Sequence, residues 1–179
     1  MIAPSNWNGS RAARREQGFT MVELIIVMVL IGILGAIAAG RFFERSGFDA
    51  EAFADQARAL LRYAQKTAIA RNTPVFVQLD DKRIALCADA PKGNCAPADR
   101  IAAPASGVGG EASTTHCQDE GWYCLGVPEG VQVSLSTALT EFSFDALGRP
   151  SMPGSLVLTI ASPGESRSVT VHRETGYVQ

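Results

Sequence analysis

Glu23 is the residue whose surroundings demand an explanation. From Phe19 to Gly40 every other side chain is apolar, small or a lone hydroxyl, and a carboxylate placed in lipid costs several kcal/mol. Two further sets of residues could carry chemistry. Cys87, Cys95, Cys117 and Cys124 are separated by seven, twenty-one and six residues, spacings unlike the short pairs of common zinc sites. In a segment lying outside the cytoplasm, an even count reads as two disulfides. Four cysteines permit three connectivities; the local one, Cys87–Cys95 with Cys117–Cys124, closes short loops and is the pairing we expect. The only histidines are His116 and His172, and no nucleophile motif accompanies either. Gly107-Val108-Gly109-Gly110 follows no strand, as a phosphate-cradling loop would. No enzyme, metal site or cofactor is expected.

These residues are positioned by two kinds of element. Residues 19–40 number twenty-two, about 33 Å as a helix and enough to cross a hydrocarbon core. Arg11, Arg14 and Arg15 precede them, so the positive-inside rule keeps the N-terminus cytoplasmic and sends the rest outward. Three readings fit such a run: a secretory signal peptide cut after Ala36-Ile37-Ala38, an uncleaved anchor, or a basic leader removed before the apolar residues. A signal peptide or plain anchor gains nothing from Glu23, although a first helical turn tolerates an acid. Gly32, Ala36 and Gly40 lie four apart, which aligns them on one face and permits close helix approach in lipid. Small residues are also simply frequent in membrane helices.

Gly18-Phe19-Thr20-Met21-Val22-Glu23-Leu24 resembles the N-terminal signature of type IV pilins and type II secretion pseudopilins. The resemblance implies cleavage by a prepilin peptidase after Gly18, N-methylation of the new terminus on Phe19, and Glu23 as the fifth residue of the mature chain. The chemistry suits that spacing. An ammonium at the start of an embedded helix, with the unpaired amides of the first turn, wants a nearby anion. Glu23 can pair with its own terminus or with that of an adjacent subunit, and in a low-dielectric bundle such a pair sets axial register.

After Arg41 the pattern turns amphipathic. Ala50, Phe53, Ala57, Leu60, Leu61, Ala64 and Ala68 recur at three- and four-residue steps, a buried stripe. The spacing predicts one helix from Phe19 to Arg71, ended by Asn72-Thr73-Pro74, with Ser46-Gly47 as the place to bend. Arg58, Arg62 and Lys66 are expected on a solvated face. Val75–Leu79 and Arg83–Ala88 alternate around Asp80-Asp81-Lys82 and predict a hairpin. Residues 89–126 are rich in Pro, Gly, Ala and Ser, too long for an unstapled loop. Val131–Ser136, Glu141–Phe144, Leu156–Ala161 and Ser168–His172 complete a strand-rich head. The expected fold class is α+β, a long helix, its first half membrane-spanning, packed on an antiparallel β-sheet head. The expected organisation is a leader 1–18, an assembly and membrane helix 19–40, its amphipathic continuation 41–74, and a periplasmic head 75–179.

Arg62-Tyr63-Ala64-Gln65, the Phe144–Pro150 turn and Gly176-Tyr177-Val178 make the head similar to pseudopilin H (GspH) and FimT-type minor pilins, with a leaning toward minor pilins of the mannose-sensitive haemagglutinin pilus. The resemblance implies a type IV pilin fold and a non-catalytic subunit. It implies an inner-membrane location before entry into a type II secretion pseudopilus or type IV pilus. Implied partners are other minor pilins or pseudopilins, the major pilin, the inner-membrane assembly platform and the prepilin peptidase. Some FimT-type proteins take up DNA through a basic C-terminal motif, and that is the alternative. It finds little support in charge: without residues 1–18 the chain holds 13 Lys+Arg against 17 Asp+Glu, so nucleic acid is not an expected partner.

Overall fold

The computed structural model describes residues 20–104, 110–119 and 121–179, with side chains at 38–47 excepted. The expected leader, residues 1–18, and Phe19 lie outside the described residues. The chain separates into two compact units, Met1–Ala39 and Gly40–Gln179. Helix α1, Met21–Arg71, runs through the boundary; the proposed bend at Ser46-Gly47 falls among residues whose side chains are not described.

In the second unit α1 ends where local chemistry requires it. Asn72 adopts a left-handed conformation, φ 52°, and its N–H and that of Thr73 donate to the Ile69 and Ala68 carbonyls, a helix-terminating arrangement that asparagine tolerates. The inner face of this half is the expected stripe: Ala50, Phe53, Ala57, Leu60, Leu61, Ala64 and Ala68 are all buried, joined by Ala54.

Among the described residues seven strands follow: β1 Val75–Leu79, β2 Arg83–Cys87, β3 Cys124–Gly126, β4 Gln132–Leu135, β5 Glu141–Phe144, β6 Leu156–Ser162 and β7 Glu165–Val171. The α+β class and the antiparallel head expected from the sequence are present; the strands form two sheets, ordered β3-β2-β1-β5 and β4-β6-β7, with every pairing antiparallel. Alternation fixes which face of a strand is buried but not which neighbour takes its hydrogen bonds. The chain changes sheets between β4 and β5, so Val133 faces Ile160 while Phe142 faces Val77. One core unites Leu60, Leu61 and Ala64 of α1 with Val77, Phe144, Leu158 and Val171.

The stretch 89–126 is less irregular than its composition implies. It contains a 3₁₀ turn at Pro97–Asp99 and a second helix, α2, Glu111–Cys117, which places His116 on a helix. Helix α2 rests on β3 at Gly126, where any Cβ would collide with the Ala112 carbonyl; the Gly126 N–H donates to Ser113 Oγ. Cys87 is bonded to Cys95 and Cys117 to Cys124, with Cα atoms 5.9 and 5.8 Å apart. Each cross-link closes a loop of about eight residues, worth roughly 2–3 kcal/mol in the chain-entropy treatment. With Trp122 and Ala85 the four half-cystines form a second small core.

Candidate functional site

The first candidate is the start of α1. Thr20 precedes the helix and caps it: the Glu23 N–H donates to Thr20 Oγ1 at 3.3 Å, and the Leu24 N–H to the Thr20 carbonyl. Thr20-Met21-Val22-Glu23 has the spacing of a capping box, in which a glutamate at the third helical position faces the orphan amides of the first turn. This role for Glu23 is additional to the one expected from the sequence, and the T-x-x-E pattern is the signal that carries it. Every residue from Met21 to Ile37 is exposed and Glu23 is the only charged one among them. Nothing approaches within 4 Å of a Cβ built on Gly32 or Gly35. Gly32 and Ala36 therefore lie on an open face, about 6 Å apart along the axis; the side-chain face at Gly40 lies outside the described residues, as do Gly18 and Phe19. Among the described residues no helix is long and apolar enough to cross a membrane; side chains of this run are described only through Ile37.

The second candidate is the surface where the head's turns meet the end of α1. Gln65 Nε2 donates to the carbonyls of Gly148 and Thr175, both at 2.9 Å. The Arg62 guanidinium donates twice to the Val178 carbonyl, at 3.1 and 2.8 Å. Arg62 and Lys66 are exposed, as expected of a solvated face, and Arg58 is half-buried; Arg62 also fastens the C-terminal segment to the helix, and Arg58 pairs with Asp55. The Phe144–Pro150 turn is held by Asp145, whose Oδ1 accepts from the N–H groups of Leu147 and Arg149. Its Gly148 takes φ +78°, a region that favours glycine.

The third is the cystine-bearing segment. Trp122 is buried, its Nε1 donates to the Leu86 carbonyl at 2.8 Å, and the Arg83 and Arg100 guanidiniums stand 5.3 and 4.5 Å from its ring centre. Arg100 also donates to Asp119 Oδ2 at 2.9 Å. That hydrogen bond, followed by one from the Gly121 N–H, lowers the Asp119 pKa below its ordinary 3.8. Burial, then the neighbouring Tyr63, pushes the Tyr123 hydroxyl up. These contacts are structural ties. Neither imidazole makes a hydrogen bond to a hydroxyl or carboxylate among the described residues; His116 offers its carbonyl to Arg83, and His172 stacks on Tyr177.

Comparison with known proteins places this arrangement. The family described as type II transport protein GspH matches residues 54–175, and the prokaryotic N-terminal methylation motif matches residues 13–39. The chain is 42% identical over 67 residues to the type IV narrow pilus major component PilA5 of Thermus thermophilus, a stretch covering 36% of this chain and 58% of that relative's length. Its fold is similar to that of the type IV minor pilin FimU of Pseudomonas aeruginosa, with TM-score 0.52, 18% identity, and coverage of 77% of this chain and 90% of that one. It is similar also to the minor pseudopilin EpsH of the type 2 secretion system of Vibrio cholerae, with TM-score 0.51, 15% identity, and coverage of 73% and 94%. A capped apolar helix carrying the methylation motif, continued into an α+β head that matches over more than half of the sequence, fixes the relationship: the chain belongs to the GspH family, the minor pilins and pseudopilins of type II secretion and type IV pili.

Proposed function

We propose that this chain is a non-catalytic subunit of a type II secretion pseudopilus or type IV pilus, made as a precursor with residues 1–18 as leader. The prepilin peptidase cuts after Gly18 and methylates the amino group of Phe19. Residues 19–40 hold the subunit in the inner membrane, N-terminus cytoplasmic and head periplasmic, until the assembly platform passes it into a fibre. There Glu23 neutralises the amino terminus of its own or a neighbouring subunit, and Gly32, Ala36 and Gly40 let helices approach. Its partners are the other minor subunits and the major one.

The observation that carries this reading is the surface of Met21–Ile37: apolar all round, exposed throughout, and interrupted only by Glu23. A face of that size and composition is stable only when lipid or sibling helices cover it. The acid is stable there only with a cation at hand. Intact-mass and N-terminal mass spectrometry of membrane-extracted protein is the test. A chain beginning at methylated Phe19 is expected; one beginning near Ala39 would restore an ordinary secretory signal and end the fibre reading.

A further inference from the structure

The head buries two apolar clusters, and the smaller one is built around covalent bonds. Successive side chains along β1 and β2 point to opposite faces. Val75, Val77, Ile84 and Leu86 join the core shared with α1, whereas Phe76, Ala85 and Cys87 join Trp122 and the other three half-cystines. The cystine-bearing segment thus closes the second face of β1 and β2, where Gln78 Nε2 donates to the Gly93 carbonyl at 2.8 Å. Ile101 and Tyr123 anchor the middle of the segment in the larger core, so what hangs on the disulfides is its two cystine loops.

One of those loops also closes an edge. Strand β3 is the last of its sheet, a position that leaves backbone groups open to pairing. Helix α2 packs against it, and Ser113 Oγ accepts from the Gly126 N–H. Yet α2 has only seven residues and, among the described residues, no side-chain hydrogen bond at its N-cap; so short a helix is marginal by itself in water. It is held by Cys117–Cys124 and by Arg83, whose guanidinium donates to the His116 carbonyl at 3.2 Å and to Asn94 Oδ1 at 2.8 Å. Asn94 precedes Cys95 and His116 precedes Cys117, so Arg83 joins the two cystine loops.

The finished layer shields its own sulfurs. The four cysteines are 0, 2, 3 and 1% exposed in chain order, and exchange requires a thiolate in contact with a disulfide sulfur. The bonds therefore form while the layer is open. The native partners are 8 and 7 residues apart, whereas every other pairing spans 22 to 37. Each doubling of a loop lowers its closure probability about threefold, so an open chain already favours the native pairs.

We propose that a disulfide-carrying thiol oxidoreductase is a further partner of this chain, acting on Cys87 with Cys95 and on Cys117 with Cys124 before the layer closes. Helix α2 covers the β3 edge only afterwards, and no isomerase is needed. In each step a cysteine thiolate attacks the oxidant's disulfide, forming a mixed disulfide and expelling one oxidant thiolate. The second cysteine thiolate of the pair then displaces the oxidant's remaining sulfur. Two electrons and the two cysteine protons pass to the oxidant, which leaves as the dithiol. The compartment of this partner rests on the periplasmic placement of the head proposed above; the order of events does not.

The test uses the full chain in detergent micelles, its disulfides first reduced. Without oxidant, hydrogen exchange should find β6 and β7 still protected, while the amides of α2 and Gly126 exchange at least about tenfold faster than in the oxidised protein. All four thiols should take iodoacetamide at close to their rate in urea. Glutathione disulfide should then restore protection and give Cys87–Cys95 and Cys117–Cys124 by peptide mass spectrometry, other pairings staying below about one tenth of the product. Cys117→Ser with Cys124→Ser should free α2 and spare the Cys87–Cys95 loop, the protected β6 and β7 amides showing that the variant is folded. Thiols shielded in the reduced chain, α2 protected without its disulfide, or crossed pairings that persist would overturn the proposal. Loss of β6 and β7 protection on reduction would overturn it too, since oxidation would then gate the whole head. In cells lacking their periplasmic disulfide oxidoreductase the four thiols should stay reduced, and intact cystines there would remove the partner. The N-terminal mass of the same samples reports on the fibre reading separately, so the two can fail independently.

Discussion

Both halves of α1 are rich in apolar side chains and treat them oppositely. From Ala50 to Ala68 eight apolar side chains are buried in the core shared with the head's strands. From Met21 to Ile37 every one faces outward. The polar groups divide in the same way. Arg62, Gln65 and Trp122 each find a partner within the chain, whereas Glu23 is the one charged residue on the exposed run Met21–Ile37. The second unit buries its apolar stripe internally, and the first leaves its apolar side chains exposed. On the proposed fibre-subunit reading, function lies in that open surface.

The sharpest way to break the contrast is to remove the one charge in the open half. Glu23→Ala is expected to abolish incorporation into fibres, because an amino terminus left unpaired in a low-dielectric bundle costs about 3–5 kcal/mol. The sheared-fibre fraction, measured against total membrane protein, checks it. The head's melting temperature should not move, since Glu23 is no part of the buried core cluster. A variant that assembles as wild type would show that Glu23 serves only the capping box.

A matched pair of truncations sharpens the comparison. Leu60 is fully buried and Ile26 is 53% exposed. Leu60→Ala should destabilise the head by about 2–5 kcal/mol, through lost transfer energy and the cavity left behind. Ile26→Ala should leave the head's denaturation midpoint unchanged. Urea titrations followed by Trp122 fluorescence report both. Equal effects would mean that the two halves share one cooperative core.

Local features of this division are legible in the sequence. The helix end at Arg71 follows from Asn72-Thr73-Pro74, and the buried stripe from the spacing of Phe53, Leu60 and Leu61, because both depend on neighbours a few residues away. The capping pattern at Thr20 and Glu23 is equally local, though an argument built on lipid burial alone passes over it. What the sequence hides is held by distant partners. Val133 and Phe142 alternate alike, yet their strands join different sheets. Arg62 reads as a solvated cation and is exposed, but its hydrogen bonds to Val178, 116 residues away, are not legible in the sequence. Helix α2 has a weak helix-forming sequence, Glu111-Ala112-Ser113-Thr114-Thr115-His116-Cys117, and exists because Gly126 admits it against β3 and Cys124 anchors its end.

The smallest expected effect lies at the rim of the cystine segment, where a charge is satisfied internally but at the surface. Arg100 holds Asp119 ionised and lowers its pKa below 3.8, while the same guanidinium packs on Trp122. A carboxylate whose folded pKa is depressed contributes stability that is fully present above its unfolded pKa. That contribution is lost as pH falls through the folded value. The window is therefore acid, beginning near 3.8 and extending below it. Asp119→Asn should flatten the loss of stability in that window and leave the plateau near pH 7 slightly lowered. Asp119 is a partly exposed partner, with 40% of its side chain in solvent, so screening keeps the effect small and salt should shrink it further. Arg100→Lys separates the two duties of the guanidinium: an ammonium keeps the charge beside Asp119 but cannot stack its plane on the indole. If Arg100→Lys shifts the acid limb no more than wild type yet lowers the neutral plateau, the contact with Trp122 outweighs the ion pair. Internal satisfaction in the head would then rest chiefly on packing, with charge pairing secondary even where a close ion pair forms. The opposite result, an acid limb altered with the plateau intact, would give the ion pair the larger share and bring the head nearer to the electrostatics proposed for Glu23.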